Sequence, residues 1–462
     1  MAQHRVGGCY WGRKVAGPEL LEDSNWAPDA DPWTLLETAR EVRLPANDPR
    51  ALLVLAAGRP LTLLDAAGRC VPVNAAALVH THLASWQWHD PFSGRVISAR
   101  QAIELCGLWR LIIDANRPIG AALGFAFWKR PTVAPLLWNG GENPFRRALS
   151  VCRENDATAV WRSRLTPAQE QSLEGRTVFE VEDGFIRSSG LGANCVPPLS
   201  IIVDRVGIHF DPTAPSELEQ ILQTWQFQPE LLERAAALRA AIIANGLSKY
   251  EKGGTGRLSR PGGMRRHVLV PGQVEDDRAV TSGGALASNL ELLGRVRAEV
   301  GRDAFIIYKP HPDVLAGHRK GGIAAQDIGD LADLIETRAP MADLIAMVDE
   351  VHVNSSLAGF EALIHAKPVT VHGVPFYAGW GLTCDRGPVP GRRTARRSIE
   401  ELIAAAYIIY PRYLDPVTGL PCPVEVLVER LVATPPRLNL KARALVAFRQ
   451  VSGRARRLLG SQ

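Results

Sequence analysis

Hydrophobic positions in this chain change character near residue 105. Beyond that point short apolar runs alternate with segments whose apolar residues recur at helical spacing. Residues 177–181 (TVFEV) and 199–203 (LSIIV) predict strands, and the first runs into Glu182-Asp183-Gly184. Ser216-Glu217-Leu218-Glu219 predicts a capping box that opens a helix. Further on, residues 267–270, 304–308, 350–353 and 368–371 predict strands, with helices over 289–300 and 357–365. Strands alternating with helices predict parallel sheets. A Gly-rich stretch, Gly253-Gly254-Thr255-Gly256 through Pro261-Gly262-Gly263, reads as a linker between two such halves. The expected fold class is therefore α/β, with two Rossmann-like lobes of parallel sheet facing a cleft. The expected divisions are an N-terminal arm (1–104), a first lobe (105–255), a second lobe (256–435) and a tail (436–462). Within the arm, Asp90-Pro91-Phe92-Ser93-Gly94 echoes Asp415-Pro416-Val417-Thr418-Gly419 near the other end of the chain. The echo is either a copied tail of one module or a recurrent turn formula.

Composition narrows the reading little. Of 462 residues, 46% are apolar and 22% charged, ordinary for a globular chain of two or three domains. The net charge of +5 is too small to imply nucleic acid as a partner. Its distribution is uneven, with Arg437, Lys441, Arg443, Arg449, Arg454, Arg456 and Arg457 following Pro436 without an acid, interleaved with apolar residues. Such a tail predicts either a helix resting on an anionic membrane surface or a solvated terminal helix. The seven cysteines are scattered without a CxxC pair, which fits reduced thiols in a cytoplasmic protein. Met1 to Arg13 lacks an apolar signal core, and no apolar run is long enough to span a bilayer, so any membrane contact is expected to be peripheral.

Candidate chemistry collects at the predicted strand ends, where open α/β sheets bind ligands. Glu182 and Asp183 close one strand, and Gln273-Val274-Glu275-Asp276-Asp277 follows another. Carboxylates from two lobes supply what sugar transfer with retained stereochemistry requires, a nucleophile and an acid/base; singly, each is equally a turn or capping acid. Lys309-Pro310-His311-Pro312 sets a cation and an imidazole in a rigid turn, suited to a phosphate leaving group or to a loop contact. Asn354-Ser355-Ser356 before a helix suits a phosphate or a plain N-cap, and Glu361 in that helix a ribose hydroxyl or solvent. Residues 375–381 (PFYAGWG) suit a sugar or base platform, or a buried loop. Neither an Asp-x-Asp triad nor a His/Cys cluster is present, so no metal or other cofactor is implied.

These residues carry a resemblance. Glu182-Asp183-Gly184-Phe185-Ile186-Arg187-Ser188-Ser189-Gly190-Leu191-Gly192, Pro197-Pro198-Leu199-Ser200, Val270-Pro271-Gly272-Gln273-Val274-Glu275-Asp276-Asp277, Tyr308-Lys309-Pro310-His311-Pro312-Asp313-Val314, Ser355-Ser356-Leu357-Ala358-Gly359-Phe360-Glu361-Ala362-Leu363 and Pro375-Phe376-Tyr377-Ala378-Gly379-Trp380-Gly381-Leu382-Thr383 resemble the signatures of KpsC-type capsule transferases of 3-deoxy-manno-octulosonic acid (Kdo). The match covers roughly residues 105–435 and is similar to the second module of the two-module members, which implies that residues 61–116 are the decayed tail of a first. The resemblance implies a GT-B fold with the acceptor on the first lobe and the nucleotide on the second. It implies CMP-Kdo as donor, retained β stereochemistry and a lipid-linked Kdo oligomer as acceptor. It implies Asp277 as nucleophile and Glu182 or Asp183 as acid/base, with His311, Ser355, Ser356, Glu361 and Gln273 around the CMP. Arg187 and Lys309 are the candidate cations for the Kdo carboxylate. It also implies a place at the cytoplasmic face of the inner membrane of a Gram-negative-type bacterium, beside other capsule assembly proteins. Two further readings stand beside it: a non-catalytic factor that binds capsule glycolipid for export, and the same fold acting on another CMP-sugar such as CMP-sialic acid.

Overall fold

Strands in this protein divide by how completely they are buried, and burial follows their composition. The computed structural model describes residues 1–6, 31–141, 144–146, 149, 152–153, 155–188, 196–248, 258–317 and 319–433. The linker glycines 253–256, residues 189–192 of the first signature and the basic tail 436–462 lie outside the described residues. Among the described residues the chain forms two compact units. One contains Met1–Ala122, Ala134–Thr158 and Val417–Cys422; the other contains Leu123–Val133, Ala159–Pro416 and the described residues from Pro423 onward.

The first unit holds β1 (Val42–Pro45), parallel to β2 (Leu61–Leu64), which is antiparallel to β3 (Cys70–Val71). Trp33, Leu36, Leu53, Val54, Leu63 and Leu78 pack together here, so the region expected as an arm has a core of its own. The run Ala51–Ala56 is a helix whose first four residues are all buried in that core. Asp31 caps the helix Pro32–Thr38 and accepts from Arg110, a buried acid matched by a buried cation. The echo between Asp90 and Asp415 extends to geometry. Each Asp follows a strand, β4 (Trp88–His89) in the first case, and each turn ends on a glycine with positive φ, 70° at Gly94 and 71° at Gly419. A two-residue strand and then a helix follow in both: β5 (Val96–Ile97) with helix Ala99–Asn116, and Pro421–Cys422 with helix Val424–Ala433. Strands β6 (Ile119–Leu123) and β7 (Ala157–Val160) carry the chain from the first unit into the second.

The second unit opens with β8 (Val178–Asp183) and β9 (Ser200–Asp204), paired antiparallel with Glu182 opposite Ile202. This departs from the expected parallel arrangement. Among the described residues between them there is no crossover helix, which a parallel pair needs. The second sheet meets the expectation. It comprises β10 (His267–Pro271), β11 (Phe305–Lys309), β12 (Leu334–Ile335), β13 (Glu350–Val353), β14 (Val369–Val371) and β15 (Cys384–Asp385), all in parallel pairs. Every residue of β10 and β11 is buried, His267 and Lys309 at their ends included, and the apolar run within each strand suits a sheet covered on both faces. The helix Asn289–Val300, capped by Ser288, covers one face through Leu292, Leu293 and Val296. Strand order is β12-β11-β10-β13-β14-β15, so the chain reverses direction across the sheet between β10 and β13. Ligands bind beyond the strand ends at such a switch point. Last, β16 (Pro411–Leu414) returns to pair antiparallel with β9.

One local signal is met only in part. Ser216 caps the helix Glu217–Thr224 through the Glu219 amide, but the Glu219 carboxylate does not close the box. It is buried and holds Arg392 and Arg393 instead, because two guanidiniums bind a buried carboxylate more strongly than one amide does.

Candidate functional site

Strand β8 delivers two adjacent carboxylates with different surroundings. Asp183 is paired with Lys129 Nζ at 3.3 Å and Arg187 Nε at 2.8 Å. Arg187 is fully buried, and its other nitrogens reach Ser188 Oγ at 2.8 Å and the Val196 carbonyl at 2.7 Å. This residue, expected at a sugar carboxylate, is committed in this structure to Asp183 and to the loop behind it. Glu182 is half-buried, and one of its oxygens accepts from the Asp183 amide at 3.2 Å. Burial pushes its carboxyl up to about 7, with the charges of Asp183 and Asp277 adding to the rise and Lys129 opposing it. A carboxyl near neutrality can both accept and return a proton.

Lys129 escaped the sequence reading. It is 6% exposed, lies 3.2 Å from the centroid of the Trp161 ring and faces both acids. Burial lowers its pKa, against the pull of Asp183 and Glu182. The available signal was an aromatic run ending in a cation, Phe125-Ala126-Phe127-Trp128-Lys129, soon after a strand.

Asp277 lies beyond the end of β10 but enters the electrostatics of Glu182. It follows β10 and caps the helix Arg278–Gly283, accepting from the Ala279 amide at 3.0 Å, while its second oxygen is 3.7 Å from Arg319. Two anchors fix this loop. Asn289 accepts from the Gln273 amide at 2.8 Å and donates to the Gln273 carbonyl at 2.8 Å and the Gly321 carbonyl at 2.9 Å. Arg278 reaches back to Glu180 of β8 at 3.1 Å, and Glu180 also holds Arg162 at 2.7 Å. The acid-bearing strand and the Asp277 loop are thus joined by an ion pair next to the acids.

At the switch point Gln273 and Ser355 meet directly. Gln273 Nε2 donates to Ser355 Oγ at 3.2 Å, the Ser355 amide donates to Gln273 Oε1 at 2.9 Å, and Ser355 Oγ donates to the Ala279 carbonyl at 2.9 Å. Both ends of the Gln273 amide are therefore used in shaping the loop. Buried Asn354 secures it from the other side, accepting from the Ala285 amide at 3.0 Å and donating to the Leu286 carbonyl at 2.9 Å. Ser356 caps the helix Leu357–Ile364 by accepting from the Ala358 amide at 3.2 Å. Ser356 caps this helix at a half-buried N-terminus, a place where the first helix amides suit an anion.

Lys309 ends β11, beside β10, and its carbonyl accepts from the Gly272 amide at 2.8 Å. His311 caps the turn that follows, with Nδ1 accepting from the Asp313 amide at 3.1 Å. That bond places the proton of a neutral imidazole on Nε2. Burial keeps the Tyr377 and Tyr407 hydroxyls protonated, and the nearby charge of Glu361 adds to the effect. The aromatic motif 375–381 resolves as a buried loop: Tyr377 and Trp380 are fully buried, and Phe376 stacks on Phe185 with centroids 4.7 Å apart. It supports the site from below, for the Tyr377 hydroxyl donates to the Ser356 carbonyl.

Residues 158–256 and 250–413 match the family described as capsule polysaccharide biosynthesis protein. The lipopolysaccharide-processing protein LpsZ of Rhizobium meliloti is 46% identical over 54% of this chain and 57% of its own length. The capsule polysaccharide modification protein LipA of Neisseria meningitidis serogroup B is 44% identical over 52% of this chain and 34% of its own. The chain thus spans well under two thirds of either curated relative. Two solved structures of Thermosulfurimonas dismutans KpsC are also similar. The beta Kdo 2,4 transferase is 36% identical with a TM-score of 0.55, covering 60% of this chain and 87% of that one. The beta Kdo 2,7 transferase is 33% identical with a TM-score of 0.55, covering 68% and 98%. No helix among the described residues is long and apolar enough to cross a membrane. With more than half of its length matched, this chain belongs to the capsule polysaccharide biosynthesis protein family.

Proposed function

We propose that this chain is a GT-B-type glycosyltransferase that moves Kdo from CMP-Kdo to a lipid-linked Kdo oligomer with retained β stereochemistry. The observation that carries the reading is Glu182, a carboxyl pushed up to about 7 in part by Asp277 beyond the end of β10. Two carboxyl groups within range of each other's charge, one tuned for proton transfer, suit double displacement. In the first step the Asp277 carboxylate forms a bond to the anomeric carbon, the bond from that carbon to the CMP phosphate oxygen breaks, and CMP leaves. In the second, the acceptor hydroxyl gives its proton to Glu182 and bonds to the anomeric carbon, and the ester to Asp277 breaks. Two inversions give retention.

The leaving phosphate is assigned to His311 Nε2–H and the Ser356 amide at the helix N-terminus, with Ser355, held by Gln273, shaping the loop beside it and Glu361 toward the ribose. Lys309 is the cation for the Kdo carboxylate. Arg187 is better suited to orienting Asp183, given its burial and three existing partners. No metal is required, because a single phosphate can be met by an imidazole and helix amides. Incubation of Glu182→Gln with fresh CMP-Kdo, followed by intact mass spectrometry, tests the scheme. A gain of one Kdo that Asp277→Ala abolishes is expected. No adduct, together with no CMP release by the wild type beside a Kdo-terminated acceptor, would return the chain to the export-binding reading; turnover of CMP-sialic acid instead would replace the donor.

A further inference from the structure

A second cluster of ionisable side chains lies within the parallel sheet, apart from the acid pair. His352 is in β13 and pairs with Thr370 of β14. His372, two residues beyond Thr370, therefore points to the same face. The two imidazoles are 2% and 3% exposed, with His352 Nδ1 and His372 Nε2 3.4 Å apart. Glu299, near the end of the helix Asn289–Val300, completes the group: one ligand atom from each of the three lies within 4.8 Å of the others. The outer contacts are those of a metal site. His352 Nε2 faces Glu350 Oε1 at 3.5 Å, the carboxylate behind a ligating imidazole that fixes its tautomer. Arg386 holds Glu299 through Oε1, with Nε at 3.2 Å and Nη2 at 2.5 Å, so Oε2 is the oxygen assigned to the ion.

We propose that Glu299, His352 and His372 bind one divalent ion of the zinc type, with water in the fourth position. Two imidazoles and a carboxylate suit such an ion better than magnesium or calcium, which prefer all-oxygen shells. The position gives the ion a task. The His372 amide donates to the Val353 carbonyl and the Gly373 amide to the Asn354 carbonyl, so a clamp here ties β13 to β14 directly beneath Asn354-Ser355-Ser356.

Full-length protein stripped with a chelator, loaded with Zn²⁺ and desalted is the test, with bound metal measured by atomic emission and affinity by competition with a chromophoric chelator. About one zinc per chain is expected in the wild type, with affinity at least ~10-fold weaker in Glu299→Gln and in His372→Gln. Glu299 is exposed, so its variant decides the matter should His372→Gln fail to fold. Zinc absent from the wild type, or held equally by Glu299→Gln, would overturn the site and leave the histidine pair as a metal-free hydrogen bond.

Discussion

Lys129→Met removes a cation that lowers the Glu182 pKa while keeping most of the stem that packs on Trp161. A unit charge ~5 Å away at an effective dielectric of ~20 contributes about 3 kcal/mol before screening. Observed shifts from an opposite charge at this range run from ~1 to 3 pKa units. Loss of Lys129 should therefore raise the Glu182 carboxyl from about 7 by roughly 1–2 units. As the base, Glu182 must be deprotonated, so the acid limb of kcat/KM moves to higher pH by that amount. At pH 7 the competent fraction falls from near one half to between ~1 and 10%, a loss of about 5- to 50-fold that is recovered on going alkaline. Release of CMP beside a Kdo-terminated acceptor, followed from pH 6 to 9.5, is the assay. A variant equally weak at every pH, its limb unmoved, would refute the electrostatic role and leave Lys129 as packing.

Glu182→Gln should stabilise the fold. The Glu182 pKa is raised on folding, so the native state binds more protons between the unfolded value of 4.5 and about 7, and stability falls as pH rises through that window. Above pH 7 the variant should gain about 1–3 kcal/mol in urea unfolding, and at pH 4.5 almost none. Gln273→Leu leaves the Ser355 amide without its partner; a rise in donor KM with little change in kcat is expected, and a cost of about 1–3 kcal/mol. Gly359→Ala would place a methyl 2.3 Å from the Tyr377 hydroxyl, so thermal unfolding should drop as Tyr377 releases the Ser356 carbonyl; a second change, Tyr377→Phe, should relieve much of that clash. Leu293→Ala empties a fully buried position in the parallel-sheet core and should cost about 2–5 kcal/mol, with the pH dependence of activity unchanged.

Some of this protein could be read from adjacent residues alone. The apolar runs within β10, β11, β13 and β14 announce themselves because a strand buried on both faces is mostly apolar, though His352 shows that a buried strand can also carry a polar side chain. Ser356 and Asp277 as helix caps follow from the short reach between a side chain and the next two amides. The acids and hydroxyls at strand ends were found for the same reason, since turn, cap and ligand contact draw on a common set of residue types.

What the sequence left open depends on partners distant in the chain. The antiparallel pairing of β8 and β9 is a choice of partner and direction that neither strand's composition encodes. The strand order that brings Gln273 onto Ser355, 82 positions away, is set by how helices cover the sheet. Lys129 lies 54 positions from Asp183, and only tertiary packing turns an aromatic-flanked lysine into the counter-charge of an acid pair. Glu299, His352 and His372 share no spacing that marks a ligand set, yet a parallel register and one helix end bring them within reach of a single ion. Periodicity along a chain reports which face is buried; which groups then meet is decided by folding, because only folding brings side chains from distant strands within range of one another's charge.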